Sequence, residues 1–259
     1  MELNNKMELN TEEIFAKIQN ADIQTEPFEH IIIDNLLPGD FYKELSKELD
    51  AEDFYRDYDS GGYGNKERFG ADITDYGAWA ASGRKIPTTI HQGNYNSLLS
   101  RNRTNLELFI NNLLKNEKEF YSLLCSKLPT EKIQDDYFYH VSMVKDGIGY
   151  EVKAHTDHEL NIFTILFYAP ETDVNKDFGL HVYKEGGDTP VQIGSSHQPG
   201  TRNLESGGAI DFMPNRMIIF APCQPNKERL PTWHEVRRIS DKLVGTRNTF
   251  QLFFYKNCN

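Results

Sequence analysis

Apolar positions recur at helical spacing in three places in the N-terminal half of the chain. Ile14, Phe15 and Ile18 follow Asn10-Thr11-Glu12-Glu13, a run that caps a helix start. Phe41, Leu45 and Leu49 form one stripe behind Pro38-Gly39-Asp40, while Leu106, Phe109, Ile110, Leu113 and Leu114 are continued by Phe120, Leu123 and Leu124. These stripes predict a helical layer covering one face of a sheet. His30 to Ile33 reads as a buried strand ahead of that layer.

From Tyr137 onward the pattern changes to short β-branched and aromatic runs separated by turns. Tyr150 to Ala154, Leu160 to Tyr168, Met217 to Phe220, Thr232 to Val236 and Arg247 to Tyr255 are the strand candidates. Two polar stretches interrupt the pattern. Asp50 to Lys85 interleaves Gly61, Gly62, Gly64, Gly70 and Gly77 with Tyr55, Tyr58, Tyr63, Tyr76, Arg56 and Arg68, and reads as one long loop able to recognise a substrate. Lys184 to Asn215, with Gly186-Gly187-Asp188, Pro199-Gly200 and Gly207-Gly208, reads as an insert in the position of a lid. The expected fold is mainly β with flanking α-helices, its core a jelly roll or double-stranded β-helix, cupin-like. A single domain over 1–259 is expected, with 1–135 packing on a core at 136–256.

Candidate chemistry lies at the edges of these strands. His155 and Asp157 stand two apart, and in extended backbone such residues leave the same face, so both can grip one metal from a strand end. His234, on a later strand, is the third ligand candidate. Two imidazoles and one carboxylate fill one face of an octahedron and leave the opposite face for a chelating cosubstrate and dioxygen, which suits non-haem Fe(II). Arg247 can hold a carboxylate through two parallel hydrogen bonds, and Thr249, two along, faces the same way with a hydroxyl to donate.

With these residues the chain resembles the Fe(II)/2-oxoglutarate-dependent dioxygenases, in their prolyl-hydroxylase-like branch. The resembling stretches are Gly147-Ile148-Gly149-Tyr150 before the His-x-Asp pair, Gly179-Leu180-His181-Val182-Tyr183 after it, Pro214 to Phe220, His234-Glu235-Val236 and Arg247-Asn248-Thr249. The resemblance implies that His155, Asp157 and His234 ligate iron and that Arg247 anchors 2-oxoglutarate, with Thr249 beside it. It further implies O2 as co-reactant and hydroxylation of an unactivated C–H bond. Tyr139, Ser142, Tyr150 and Tyr168 are candidates for further hydrogen bonds to 2-oxoglutarate. Halogenating relatives lack the motif carboxylate that Asp157 supplies here. Relatives that demethylate nucleic acids carry a second Arg where this chain has Phe253.

Composition narrows the partners. The 259 residues, 38% of them hydrophobic, can bury a large core, and a formal net charge of −11 opposes the basic footprint of nucleic-acid binding. The N-terminus lacks the apolar stretch of a signal peptide and no segment is long enough for a bilayer span, so a cytoplasmic protein without a membrane partner is expected. Cys125, Cys223 and Cys258 form no metal or disulfide spacing. The expected substrate is a small polar metabolite, amino acid-like or sugar-like. A prolyl or peptidyl residue, a zinc-dependent hydrolase using the same two His and Asp, and a non-enzymatic jelly-roll binding protein are the alternatives.

Overall fold

The computed structural model describes residues 9–51, 56–57, 67–99, 103–128, 130–184, 191–193, 196–198, 204–225, 227 and 229–258, with 56–57, 98–99, 191–193 and 196–198 in backbone only. The chain opens with α1 (Thr11–Asn20), β1 (Ile23–Gln24), β2 (His30–Ile33) and α2 (Gly39–Asp50). It continues with β3 (Arg56–Asp57), β4 (Arg68–Asp72), α3 (Tyr76–Ala81), α4 (Gln92–Leu99), α5 (Thr104–Lys115) and α6 (Glu117–Lys127). The strands β5 (Tyr137–Asp146), β6 (Val152–His155), β7 (Asn161–Tyr168) and β8 (Leu180–Lys184) follow. Last come β9 (Val191–Ile193), β10 (Ser196–Gln198), β11 (Glu205–Ile210), β12 (Arg216–Phe220), β13 (His234–Val236) and β14 (Arg247–Lys256).

As the capping run predicts, the Asn10 side chain accepts from the backbone N–H groups of Glu12 and Glu13 at 3.1 and 3.4 Å and starts α1. The strands form two principal antiparallel sheets. The larger has the order β1-β2-β12-β7-β14-β5-β4-β3 and the smaller β11-β8-β13-β6.

Alternation decides what each face meets. Phe250, Leu252 and Phe254 of β14 join Val141, Met143, Phe163, Ile165 and Phe167 in a cluster with Phe41, Leu45, Phe109, Phe120 and Leu124 of the helices. The intervening Leu166, Tyr168, Ile218 and Phe220 pack instead against Leu180, Val182 and Val236 of the smaller sheet. Helices, large sheet and small sheet thus stack as three layers around a jelly-roll-like core. Each fully buried Leu, Ile or Phe is worth roughly 1.5–3 kcal/mol, and a one-residue slip would exchange the two faces, so the apolar seam fixes the register.

Part of the expected long loop at 50–85 is regular structure. β4 pairs with β5 and α3 buries Trp79, while Tyr55, Tyr58 and Tyr63 lie outside the described residues. The run Arg68-Phe69-Gly70-Ala71-Asp72 lacks β-branched residues and apolar alternation, which hides the strand from a pattern reading. The expected insert at 184–215 also contributes to a sheet, because β11 adds to the small sheet beside β8. Gly186, Gly187, Asp188, Pro199 and Gly200 of that insert lie outside the described residues.

Among the described residues no helix is long and apolar enough to cross a membrane. Cys125, Cys223 and Cys258 are free thiols.

Candidate metal centre

β6 ends at His155, and its antiparallel partner β13 sets His234 directly across from it. The two imidazole rings are 4.4 Å apart between centroids. Asp157, two residues past His155, turns Oδ1 toward both rings, 3.6 Å from His155 Nε2 and 3.5 Å from His234 Nε2. One ligand atom from each of the three residues falls within 4.8 Å of the others.

The backbone selects which ring nitrogen points inward. His155 Nδ1 lies 2.8 Å from the Lys153 carbonyl and His234 Nδ1 lies 2.8 Å from the Thr232 carbonyl. A carbonyl only accepts, so each Nδ1 carries a hydrogen there and Nε2 is the ring nitrogen turned toward Asp157. Both histidines use the carbonyl two residues before them, a device built into extended backbone.

Asp157 is held from behind. Its Oδ2 accepts from the Thr164 hydroxyl at 2.5 Å, and Thr164 accepts in turn from Asn161 Nδ2 at 2.7 Å. Gln224 Nε2 donates to the Asp157 carbonyl at 2.5 Å, and Gln224 Oε1 accepts from the buried Thr156 hydroxyl at 2.8 Å. Burial alone would raise the Asp157 pKa, but the charge of His234 and hydrogen bonds from both histidines hold it well below the usual carboxylate range. Burial opposes the charging of His234, and the attraction of Asp157 outweighs it and raises the imidazole. A carboxylate ionised at neutral pH between two tautomer-fixed imidazoles is a donor set for a divalent transition metal.

Arg247 begins β14 on the face that looks toward the small sheet and is 1% exposed. Its Nε donates to the Phe178 carbonyl at 2.8 Å, and its Nη1 donates to Asp146 Oδ2 at 2.8 Å and to Thr249 Oγ1 at 3.4 Å. The Tyr168 and Phe212 rings flank the guanidinium at 5.3 and 5.2 Å. Gly179 makes this possible, since a Cβ there would lie 1.9 Å from the Ile210 carbonyl oxygen and would displace the turn that presents the Phe178 carbonyl.

The metal candidates meet the large sheet at Thr164, and Arg247 stands farther along the same face of that sheet. Register sets Phe253 of β14 opposite Thr164 and Thr249 opposite Tyr168. The two ends are therefore four residues apart on β7, roughly 13 Å of strand. At the Arg247 end the Tyr168 hydroxyl is buried beside the guanidinium. Burial raises its pKa, and the neighbouring Arg247 cation partly offsets that. A phenol hydroxyl beside a buried guanidinium is chemistry suited to an acidic ligand.

The other sequence candidates divide. Tyr150 is fully buried in the inter-sheet cluster, its ring 4.3 Å beneath the Arg68 guanidinium. Ser142 lies on the same face and donates to Gln251 Oε1 at 3.4 Å. Tyr139 does not join the site. It stands across from Phe254 and packs with the helix-facing cluster, because its odd place in β5 turns it away from Arg247. Arg68, read as part of a substrate loop, is buried against Asp146 instead. Thr164, Gln224, Asp146 and Arg68 were not legible as site residues, since only register and loop closure bring them there.

No protein-family model matches the chain, and no curated protein matches its sequence. Solved structures match in three dimensions. The dioxygenase for auxin oxidation 1 from Arabidopsis thaliana, solved as a binary complex with 2-oxoglutarate, is 12% identical, with 96% of this chain and 90% of that chain covered and a TM-score of 0.50. A Pseudomonas putida prolyl-4-hydroxylase is 12% identical, with 94% and 97% covered and a TM-score of 0.43. At such identity the Arabidopsis match shows a shared fold.

Proposed function

We propose that the protein is an Fe(II)- and 2-oxoglutarate-dependent dioxygenase on a double-stranded β-helix core, hydroxylating an unactivated C–H bond of a small polar metabolite, amino acid-like or sugar-like. The observation that carries this reading is the two-ended arrangement between the sheets, with His155, Asp157 and His234 at one end of a sheet face and buried Arg247 with Thr249 at the other. A zinc hydrolase needs the first end only.

His155, Asp157 and His234 would hold the iron, and Arg247 and Thr249 would take the distal carboxylate of 2-oxoglutarate. Iron bound there would supply dioxygen activation coupled to oxidative decarboxylation of 2-oxoglutarate to succinate and CO2. The chain's own task is placement. Thr164 keeps one Asp157 oxygen occupied so that the other faces the imidazoles, and the Lys153 and Thr232 carbonyls hold Nδ1 of each histidine so that Nε2 is the nitrogen turned toward the metal position. Tyr168 offers a hydroxyl to the bound diacid. Apolar Leu166, Val182, Phe220 and Val236 line the packed interior and exclude water there. The formal net charge of −11 supports a small-molecule substrate over a nucleic acid.

Succinate release from 2-oxoglutarate by the Fe(II)-loaded protein tests the proposal. The expected result is turnover in the parent chain, stimulated by the right metabolite, and none in His155→Ala or His234→Ala. Equal release by all three proteins would contradict it.

A further inference from the structure

Three adjacent strands place Arg68, Asp146 and Arg247 in a single cross-strand row, Arg68 opposite Asp146 and Asp146 opposite Arg247. The carboxylate is fully buried and both its oxygens are used. Arg68 donates from Nε to Oδ1 at 2.6 Å and from Nη2 to Oδ2 at 3.0 Å, while Arg247 Nη1 reaches Oδ2 at 2.8 Å. With Nε on the Phe178 carbonyl and Nη1 on Asp146, the guanidinium of Arg247 is fixed along two of its three nitrogens.

We propose that Asp146 is the positioning residue of the diacid anchor and that Arg68 acts through it. This rests on the proposed function and adds to it the source of selectivity for a 2-oxo acid with a second carboxylate. A guanidinium presents a rigid planar fork, so the carboxylate it receives is oriented only as well as the fork is. Asp146 clamps the fork from one edge, and Arg68, bound through two parallel contacts, prevents Asp146 from rotating away. Asparagine at 146 would turn an N–H donor toward one of the two guanidiniums, break one contact and release Arg247 to other rotamers without touching the metal ligands.

The test compares two 2-oxo acids on Fe(II)-loaded protein under anaerobic conditions by calorimetric titration. 2-Oxoglutarate carries the distal carboxylate and 2-oxobutyrate lacks it, while the end that chelates metal is the same. Asp146→Asn is expected to weaken 2-oxoglutarate about 10- to 100-fold, the loss of one charge-assisted contact, with 2-oxobutyrate and Fe(II) affinities unchanged. Arg68→Met, which leaves the Asp146–Arg247 contact in place, is expected to weaken 2-oxoglutarate by a smaller factor in the same selective way, and it serves if Asp146→Asn does not fold. Parent-like preference for 2-oxoglutarate in the folded variants overturns the positioning role and leaves the proposed function intact. Absence of any 2-oxoglutarate binding by the parent chain overturns both.

Discussion

Thr164 donates its hydroxyl to Asp157 Oδ2 at 2.5 Å, the oxygen that neither His155 nor His234 faces. One carboxylate is thereby divided into an oxygen oriented by the protein and an oxygen presented to the histidines. Thr164→Val removes the donor, keeps the shape and frees the carboxylate to rotate. Affinity for a divalent metal should fall about 10- to 100-fold, read by competitive chelator titration, while the fold is retained. Parent-like affinity would show that Thr164 only packs.

Arg247 is addressed by its geometry as well as its charge. Lysine keeps the charge but cannot reproduce contacts to Asp146, Thr249 and the Phe178 carbonyl from one planar group. Arg247→Lys should therefore raise KM for 2-oxoglutarate by about 10-fold or more and leave kcat at saturation near the parent value. Full retention of KM would indicate that a point charge is enough.

Gly179 is fixed by close approach. Because an added Cβ would lie 1.9 Å from the Ile210 carbonyl oxygen, Gly179→Ala must displace backbone. A loss of roughly 2–4 kcal/mol in unfolding free energy is expected, together with weaker 2-oxoglutarate binding through the displaced Phe178 carbonyl. Denaturant titration and ligand titration read the two effects separately.

Much of this was legible in the sequence for a definite reason. Arg247 and Thr249 are two residues apart on one strand, and His155 and Asp157 are two apart where a strand ends, so the period of extended backbone suggests one face for each pair. The helical stripes at Phe41, Leu45 and Leu49 and at Leu106 to Leu124 all found the sheet face they imply. Arg68 and Asp146 are 78 positions apart and meet through register, which no local pattern encodes. Tyr139 was misread because both faces of β5 carry aromatic or polar residues, Tyr137 and Tyr139 on one and His140 and Ser142 on the other. Without apolar contrast, only the pairing with β14 decides which row faces Arg247.

Lys132 supplies a pH dependence of stability. The residue is 8% exposed, its ammonium donates to the Asn161 and Pro222 carbonyls at 3.0 and 2.8 Å, and burial pushes its pKa from 10.5 down to about 8. Below pH 8 folded and unfolded chains both hold the proton, and the cost of the buried charge, roughly 3 kcal/mol, is present in full. Between pH 8 and 10.5 only the unfolded chain keeps it, so this group's contribution to stability rises with pH. The difference in unfolding free energy between the parent chain and Lys132→Met should climb across that window. A flat or falling difference would contradict the burial argument.

The central claim, that one inter-sheet space holds a metal at His155, Asp157 and His234 and a diacid at Arg247, is tested most directly by anaerobic titration of Fe(II)-loaded protein with 2-oxoglutarate. A visible charge-transfer band should grow with 2-oxoglutarate, vanish in His155→Ala and require higher 2-oxoglutarate in Arg247→Lys. Stoichiometric iron with no such band at saturating 2-oxoglutarate would contradict the account.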